Sequence, residues 1–278
     1  MKLEGAGSIR PVKRHEFLAE THARLRPRNY LEIGVNDGRS LRLSRVPSIA
    51  IDPAFRITEP LHCDLHLVRA TSDAFFARRD PIVHLRSGRN PFRNVRRGRP
   101  PFGHYLGRTA IDLAFIDGMH LFEYALRDFM NVERFAGPAS VIVLDDMLPR
   151  SVDEAARDRH TGAWAGDVYK LIDVLRRHRP DLALLPIDTE PTGVLVVLGA
   201  DPTDRRLADA HDALVAECAT PDPQEVPPEV IERRGAVDPA RFFASGILES
   251  LAASRRRGGR IAATVNRVRE EAEKLRRI

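Results

Sequence analysis

The chain has 278 residues, of which 43% are hydrophobic, so it can bury a substantial core and extended disorder is excluded for most of it. No apolar run approaches the roughly 20 residues of a membrane-spanning helix, and the first residues lack the apolar stretch of a signal peptide. The two cysteines, Cys63 and Cys218, form neither a disulfide framework nor a C-x-x-C metal site, so we expect a cytoplasmic protein.

The net charge of +5 is concentrated in two segments of the chain. Residues 82–108 contain seven arginines and no acid, and residues 250–278 contain nine Arg or Lys against three Glu. Basic segments of this kind bind anionic acceptors, membrane headgroups or RNA. A solvated loop and a solvated helix have the same composition, and we favour that interpretation for both segments.

The first part of the chain alternates between helical and strand patterns. Helices are predicted over 13–26, 39–45 and 72–79, and strands over 30–35, 48–51 and 65–70. Residues 80–108 interrupt the alternation because they are rich in Arg, Gly and Pro, and we expect a long insertion there.

The alternation resumes after the insertion. Strands are predicted over 111–116 and 140–144, and helices over 121–135 and 167–178. The last two apolar runs, 182–187 and 194–198, are separated by six residues, too few for a helical crossover, so we expect an antiparallel hairpin. The predicted fold is therefore α/β, a doubly wound, mostly parallel, seven-stranded sheet with an antiparallel last strand.

The composition changes after residue 200. An amphipathic stretch over 203–218 precedes a Pro-rich linker, and helices are predicted over 239–253 and 260–277. We therefore predict two units, residues 1–200 carrying the sheet and residues 201–278 forming a helical extension. Such an extension would supply a lid or the surface of a homo-oligomer.

Ligands of doubly wound sheets lie beyond the carboxyl ends of the strands, so the residues that follow each strand are informative. The first strand runs into a loop whose glycines permit a tight turn and let backbone N–H groups approach a ligand. The candidate cofactor contacts in this loop are Glu32, Gly34, Asn36, Gly38 and Ser40. The spacing is not G-x-G-x-x-G, which disfavours a nicotinamide cofactor.

The second and third strands also end in polar residues. Asp52 follows the second strand and is placed to accept hydrogen bonds from ribose hydroxyls, and Ser72 and Asp73 follow the third, near an adenine edge. The alternative is that Asp52 only caps the turn with Pro53.

The E-x-G-x-x-x-G pattern, the acid after the second strand and the reversed last strand together resemble class I S-adenosylmethionine-dependent methyltransferases over about residues 13–199. The stretch FIDGMHLFE over 115–123, followed by VLDD over 143–146, is similar to a narrower group, the metal-dependent O-methyltransferases of sugars and natural products. The resemblance implies S-adenosylmethionine as methyl donor. It also implies Mg²⁺ held by three acids and a histidine as general base, which are Asp117, Asp145, Asp146 and His120.

Elementary chemistry points the same way for these residues. If the fourth and fifth strands are neighbours, the carboxylates of Asp117, Asp145 and Asp146 emerge side by side and repel, and a hard divalent cation would relieve the repulsion. His120 would then take a proton from a substrate hydroxyl. The alternatives are that the acid pair caps the next segment and that His120 is a surface residue. Trp164 and residues 166–170 are candidates for lining the acceptor pocket, but we favour the alternative that Trp164 chiefly packs and that Asp167 caps its helix.

The expected function is transfer of a methyl group from S-adenosylmethionine to a hydroxyl of a small-molecule acceptor, a sugar or secondary metabolite, with Mg²⁺ bound. The alternative is an RNA-binding protein or RNA methyltransferase that uses the two Arg-rich segments, which would make nucleic acid the partner.

Overall fold

The computed structural model describes residues 10–87, 110–257 and 261–276. Its strands, numbered in chain order, are β1 Tyr30–Ile33, β2 Ser48–Ile51, β3 Leu65–Val68, β4 Leu113–Ile116, β5 Val141–Leu144, β6 Ala183–Ile187 and β7 Val194–Leu198. They form one sheet in the order β3-β2-β1-β4-β5-β7-β6, in which only β7 runs antiparallel to its neighbours β5 and β6. The predicted seven-stranded sheet with a reversed last strand is confirmed.

Helices cover both faces of this sheet. In chain order they are α1 Arg14–Leu25, α2 Ser72–Phe76, α3 Val83–Ser87, α4 Phe122–Glu133, α5 Lys170–His178, α6 Arg206–Cys218, α7 Pro228–Ile231, α8 Pro239–Ala244, α9 Ile247–Arg257 and α10 Ile261–Arg276. Because helices lie on both sides, the central strands β1, β4 and β5 are buried along their whole length, and β4 and β5 are continuous apolar runs without alternation.

The core consists of one apolar layer on each face of the sheet. On one face Ile116 packs in the same layer as Leu126 of α4. On the other face Phe115, the next residue along β4, lies with Phe17 of α1 and Phe242 of α8. Burying a side chain of this size contributes roughly 1.5–3 kcal/mol. The two layers hold the strands in register and so place the loops at their carboxyl ends.

Several predicted boundaries change in the structure. The helix expected over 39–45 is only a 3₁₀ turn, Leu41–Leu43. The helix expected over 239–253 is divided into α8 and α9 at Gly246, whose φ is +68°. The insertion expected over 80–108 starts later, because Ile82 and Leu85 are buried around α3. Its remainder, residues 88–108, lies outside the described residues.

The basic C-terminal segment is partly integrated into the core. Helix α10 packs against α9 and β6, and Val265, Val268 and Ala272 are buried. The interpretation of this segment as a solvated helix is wrong for one of its faces, because its apolar residues cover the sheet. The division into units 1–200 and 201–278 stays a prediction. Among the described helices, none is both long and apolar enough to cross a membrane.

Candidate active site

The carboxyl ends of the central strands lie beside one another at one edge of the sheet. Backbone hydrogen bonds continue past the strands, from Gly34 N to Ile51 O at 2.9 Å and from Asp117 N to Ile33 O at 2.8 Å. The strand order reverses between β1 and β4, which is where ligands of doubly wound sheets bind. The loops after β1, β2, β4 and β5 therefore surround one crevice.

Gly34 allows the loops after β1 and β4 to approach closely. Its φ is +83°, and a Cβ at this position would lie 1.7 Å from the carbonyl oxygen of Asp117. Every residue with a side chain would collide with that backbone. A glycine is therefore required here for close packing, and the candidate cofactor loop lies directly against the backbone of Asp117.

Asp52 holds the backbone of the loop after β1. Its Oδ2 accepts hydrogen bonds from the N–H groups of Val35 and Asn36 at 2.9 and 2.8 Å, and its Oδ1 accepts one from Ala54 at 2.6 Å. These bonds stabilise Asn36 at φ +49°. The structure thus brings Asp52, Gly34 and Asn36 together, as expected for one binding loop, while ribose contact by Asp52 stays a prediction.

Glu32 and Ser40 lie behind this loop. Glu32 is fully buried, and its two carboxylate oxygens accept hydrogen bonds from Tyr30 and Ser40, both at 2.6 Å. Burial raises the pKa of Glu32 to about 8, although the two hydrogen bonds act in the opposite direction. The structure therefore places Glu32 and Ser40 as internal supports of the loop, with no surface left for the Glu32 carboxylate to offer a ligand.

Ser72 and Asp73 both contact α4. Ser72 donates a hydrogen bond to Asp128, and Asp73 accepts one from Arg127 at 3.1 Å. Asp128 is buried, and this burial raises its pKa to about 7. The two side chains that we expected near an adenine edge are thus hydrogen-bonded to α4.

Asp117, His120 and Asp146 converge at the ends of β4 and β5. His120 Nε2 lies 3.3 Å from Asp117 Oδ1, and His120 Nδ1 lies 3.2 Å from Asp146 Oδ2. One ligand atom from each residue fits within 4.8 Å of the others, a spacing suited to a metal ion. The expected meeting of acids from two adjacent strands is therefore present.

Asp145 occupies a different position from Asp146. Its Oδ2 pairs with the guanidinium of Arg14, which also lies 3.6 Å from Asp117. Asp145 Oδ1 is buried and has no hydrogen-bond partner within the described part of the chain. Three aspartates thus face one arginine and one histidine, so acids outnumber basic groups in the cluster.

The two adjacent aspartates differ because of backbone geometry. Asp146 adopts a left-handed conformation with φ +62°, and its Oδ1 accepts a hydrogen bond from Thr192 in the β6–β7 loop. Burial raises the pKa of Asp145 to about 7 and that of Asp146 to about 6, and charge repulsion among neighbouring carboxylates adds to both shifts. Burial also raises the pKa of Asp117, and the charge of Asp145 adds to it. Excess negative charge at this edge favours a proton or a metal ion.

His120 is oriented by the segment around Trp164. Its Nδ1 lies 2.9 Å from the Trp164 carbonyl oxygen, and the two rings stack with centroids 5.1 Å apart. Gly166, at φ +64°, passes so close that a Cβ there would lie 1.7 Å from the His120 carbonyl oxygen. Because a carbonyl only accepts, Nδ1 carries the proton, and Nε2 is the basic nitrogen of the neutral ring.

The charge of His120 follows from its acidic neighbours. Burial alone would lower its pKa, but the hydrogen bond to Asp117 and the charge of Asp146 outweigh burial and raise the pKa to about 9. Arg14 neutralises only part of the acidic cluster, so His120 is held as an imidazolium at neutral pH. His120 can act as a base only when another cation neutralises Asp117 and Asp146 and so lowers the pKa of the imidazole.

A match to a known family covers the region of the crevice. Residues 31–147, which span the crevice from β1 to the acids after β5, match a family described as Methyltransferase domain. This part of the chain is similar to a methyltransferase domain, and the strand order with the reversed β7 is the fold of class I methyltransferases. No curated protein matches the sequence.

Three solved structures are similar to this chain at low sequence identity. The Podospora anserina methyltransferase PaMTH1, solved with SAH, is 14% identical, and the alignment covers 68% of this chain and 78% of that chain with a TM-score of 0.40. TomG of Streptomyces achromogenes, an O-methyltransferase of tomaymycin synthesis solved with SAM, is 14% identical, with 68% and 80% covered and a TM-score of 0.39. MycE of the mycinamycin biosynthetic pathway, solved with Mg, SAH and mycinamycin VI, is 16% identical, with 69% and 57% covered and a TM-score of 0.36.

Sequence reasoning missed several residues of the candidate site. Arg14 and Thr192 carry no local motif, yet they contact the acids after β5. Trp164, interpreted chiefly as packing, stacks on the candidate base. Asp167 was expected to cap its own helix, but its carboxylate accepts the Phe122 N–H of α4 at 2.8 Å. These contacts join segments that are far apart in sequence, so no local pattern signals them.

Proposed function

We propose that the protein transfers a methyl group from S-adenosylmethionine to a hydroxyl oxygen of a small molecule, a sugar or natural product, with a divalent cation such as Mg²⁺ bound. The observation that carries this proposal is the convergence of Asp117, His120 and Asp146 beside the Gly34 loop. A base next to a cluster of hard oxygen ligands, at the switch point of a class I fold, suits activation of a hydroxyl.

The residues present fit a divalent cation. Asp117 and Asp146 offer carboxylate oxygens within 4.8 Å of each other, and Asp145 keeps a buried oxygen without a partner among the described residues. We assign these three acids as the metal ligands. When bound, the ion would lower the pKa of a coordinated substrate hydroxyl and neutralise the acids that keep His120 protonated.

His120 is the proposed general base. Its Nδ1–H donates to the Trp164 carbonyl oxygen, which fixes the tautomer, and Nε2 accepts the proton of the substrate hydroxyl. Trp164 stacks on the ring and limits its rotation. The oxygen then forms a bond to the methyl carbon while the carbon–sulfur bond breaks, and the electron pair leaves on sulfur as a neutral thioether. Alignment of the two reactants supplies much of the acceleration in such a displacement.

The cofactor is proposed to occupy the crevice between β1 and β4. The N–H groups of the loop with Gly34, Asn36 and Gly38 would face it, Asp52 would accept from ribose hydroxyls, and Ser72 with Asp73 would border the adenine. Tight backbone turns with orientated N–H groups are well suited to this contact.

The test combines binding and turnover. Purified protein is titrated with S-adenosylhomocysteine by calorimetry, and methyl transfer to a panel of hydroxylated acceptors is measured with and without EDTA. We expect saturable binding that persists in EDTA, and transfer that EDTA abolishes and Mg²⁺ restores. Transfer that persists in excess EDTA would refute the metal assignment, and failure to bind S-adenosylhomocysteine would refute the proposed function altogether.

A further inference from the structure

A cavity of about 550 Å³ opens beside the candidate metal site, and most of its lining is cationic. Its charged residues are five cations and one carboxylate, namely Lys13, Arg14, Arg39, Arg150, Arg233 and Glu190. Its volume lies within the range of about 300–1,000 Å³ that is usual for small-molecule pockets. Pockets of that kind are mostly apolar, so a lining of this charge indicates a particular ligand chemistry.

The cavity and the candidate metal site share structural elements. Arg14 lines the cavity and also pairs with Asp145. In the β6–β7 loop, Glu190 lines the cavity while Thr192 donates to Asp146. A molecule that fills the cavity therefore lies next to the acids at the ends of β4 and β5.

Each of the four guanidinium groups is orientated by a carboxylate that does not line the cavity. Arg14 pairs with Asp145, and Arg233 pairs with Asp188 at 2.6 Å. Arg39 pairs with Asp37 at 2.7 Å, and Arg150 pairs with the buried Glu154 at 2.6 Å. The Arg39 and Arg150 side chains are nevertheless 59% and 53% exposed. Because a guanidinium has five N–H donors, each arginine keeps donors for a ligand after it has bound its carboxylate.

Lys13 and His15 also line the cavity. Lys13 is exposed, and its charge acts on Glu16 without an ion pair among the described residues. The pKa of His15 is lowered, first by burial and then by the charges of Arg14 and Arg39. What the cavity offers an anion is therefore the ammonium group of Lys13 and the guanidinium N–H groups that the arginine ion pairs leave over.

We propose that this cavity binds an anionic group of the methyl acceptor, a carboxylate, sulfate or phosphate ester, while the acceptor hydroxyl lies at His120. Charge-assisted bonds from orientated guanidinium groups are the strongest hydrogen bonds available for such a group. This inference rests on the proposed function. The carboxylate of S-adenosylmethionine itself has the same chemistry, so the test separates the two sources.

The test uses the full chain and inorganic phosphate as the probe, titrated by calorimetry at low ionic strength in metal-free buffer. We expect measurable phosphate binding that is weakened roughly ten-fold in the double variant Arg39→Gln/Arg150→Gln, because two charge-assisted bonds are lost. Lys13→Gln should weaken binding several-fold without leaving an unpaired carboxylate, so it decides the result if the double variant unfolds. Arg177→Gln, which breaks exposed ion pairs with Asp173 and Glu217 away from the cavity, is the control and should bind like wild type.

A second set of measurements determines whether the cavity binds an anionic group of the acceptor or the carboxylate of the cofactor. S-adenosylhomocysteine affinity should be unchanged in Lys13→Gln, and saturating phosphate should leave that affinity unchanged in the wild type. Loss of S-adenosylhomocysteine binding in Lys13→Gln, or competition between the two ligands, would assign the cavity to the cofactor and overturn the inference. Phosphate binding that is absent, or insensitive to all cavity variants, would also overturn it. Failure of the wild type to bind S-adenosylhomocysteine would instead refute the proposed function, which the phosphate arm does not test.

Discussion

The buried carboxyl of Glu32 makes a quantitative prediction about stability. Glu32 is fully buried, accepts hydrogen bonds from Tyr30 and Ser40, and has its pKa raised from 4.5 to about 8. Between these two values the folded protein binds a proton that the unfolded chain has released. Stability therefore falls as pH rises from 4.5 through 8, because the proton-rich folded state is increasingly disfavoured.

The size of the effect follows from the shift. Each pH unit in this window costs the folded wild type about 1.4 kcal/mol, which accumulates to roughly 3 kcal/mol by pH 7. Glu32→Gln removes the titration and keeps a carbonyl acceptor and an N–H₂ donor for the two hydroxyls. The unfolding free energy of the variant should therefore rise relative to wild type by about 1.4 kcal/mol per unit between pH 5 and 8.

The assay is urea unfolding followed by circular dichroism at four pH values from 5 to 8. Glu217→Gln, an exposed partner of Arg177 at the surface, is the control, and its difference from wild type should stay small because solvent screens the pair. A difference between Glu32→Gln and wild type that does not change with pH would mean that Glu32 is ionised in the folded protein. S-adenosylhomocysteine affinity should be close to wild type, since Glu32 supports the loop from behind.

Three further predictions address the site and its support. Gly34→Ala should abolish S-adenosylhomocysteine binding and lower the melting temperature, because its Cβ would meet the Asp117 carbonyl at 1.7 Å; wild-type binding by calorimetry would contradict this packing. His120→Gln should reduce methyl transfer by roughly 10²–10⁴-fold with S-adenosylhomocysteine affinity retained, and full turnover would exclude His120 as base. Deletion of residues 259–278 should destabilise the whole domain in thermal unfolding, because Val268 covers the sheet, whereas an unchanged melting temperature would show that α10 is dispensable.

Much of the fold was determined by local patterns. Apolar runs of strand length alternate with segments of helical periodicity. The six residues between the last two runs are too few for a helical crossover, so the short connection by itself predicted an antiparallel strand. The sequence also predicted that Asp117, Asp145 and Asp146 lie at strand ends. Parallel strands have their carboxyl ends at the same edge of the sheet, so these acids were expected to lie close together.

Tertiary structure decided what these residues contact. Asp145 and Asp146 are adjacent, yet one pairs with Arg14, 131 positions away, and the other with Thr192. Glu32 was predicted to contact the cofactor, but its side chain is buried. The two-residue period of the β-strand places it on the same face as Tyr30, which donates a hydrogen bond to it. Local periodicity specifies which face a side chain occupies, but the partner on that face is specified by how distant helices and loops dock. Charge compensation, tautomer and pKa at the site therefore depend on packing that no short segment of sequence encodes.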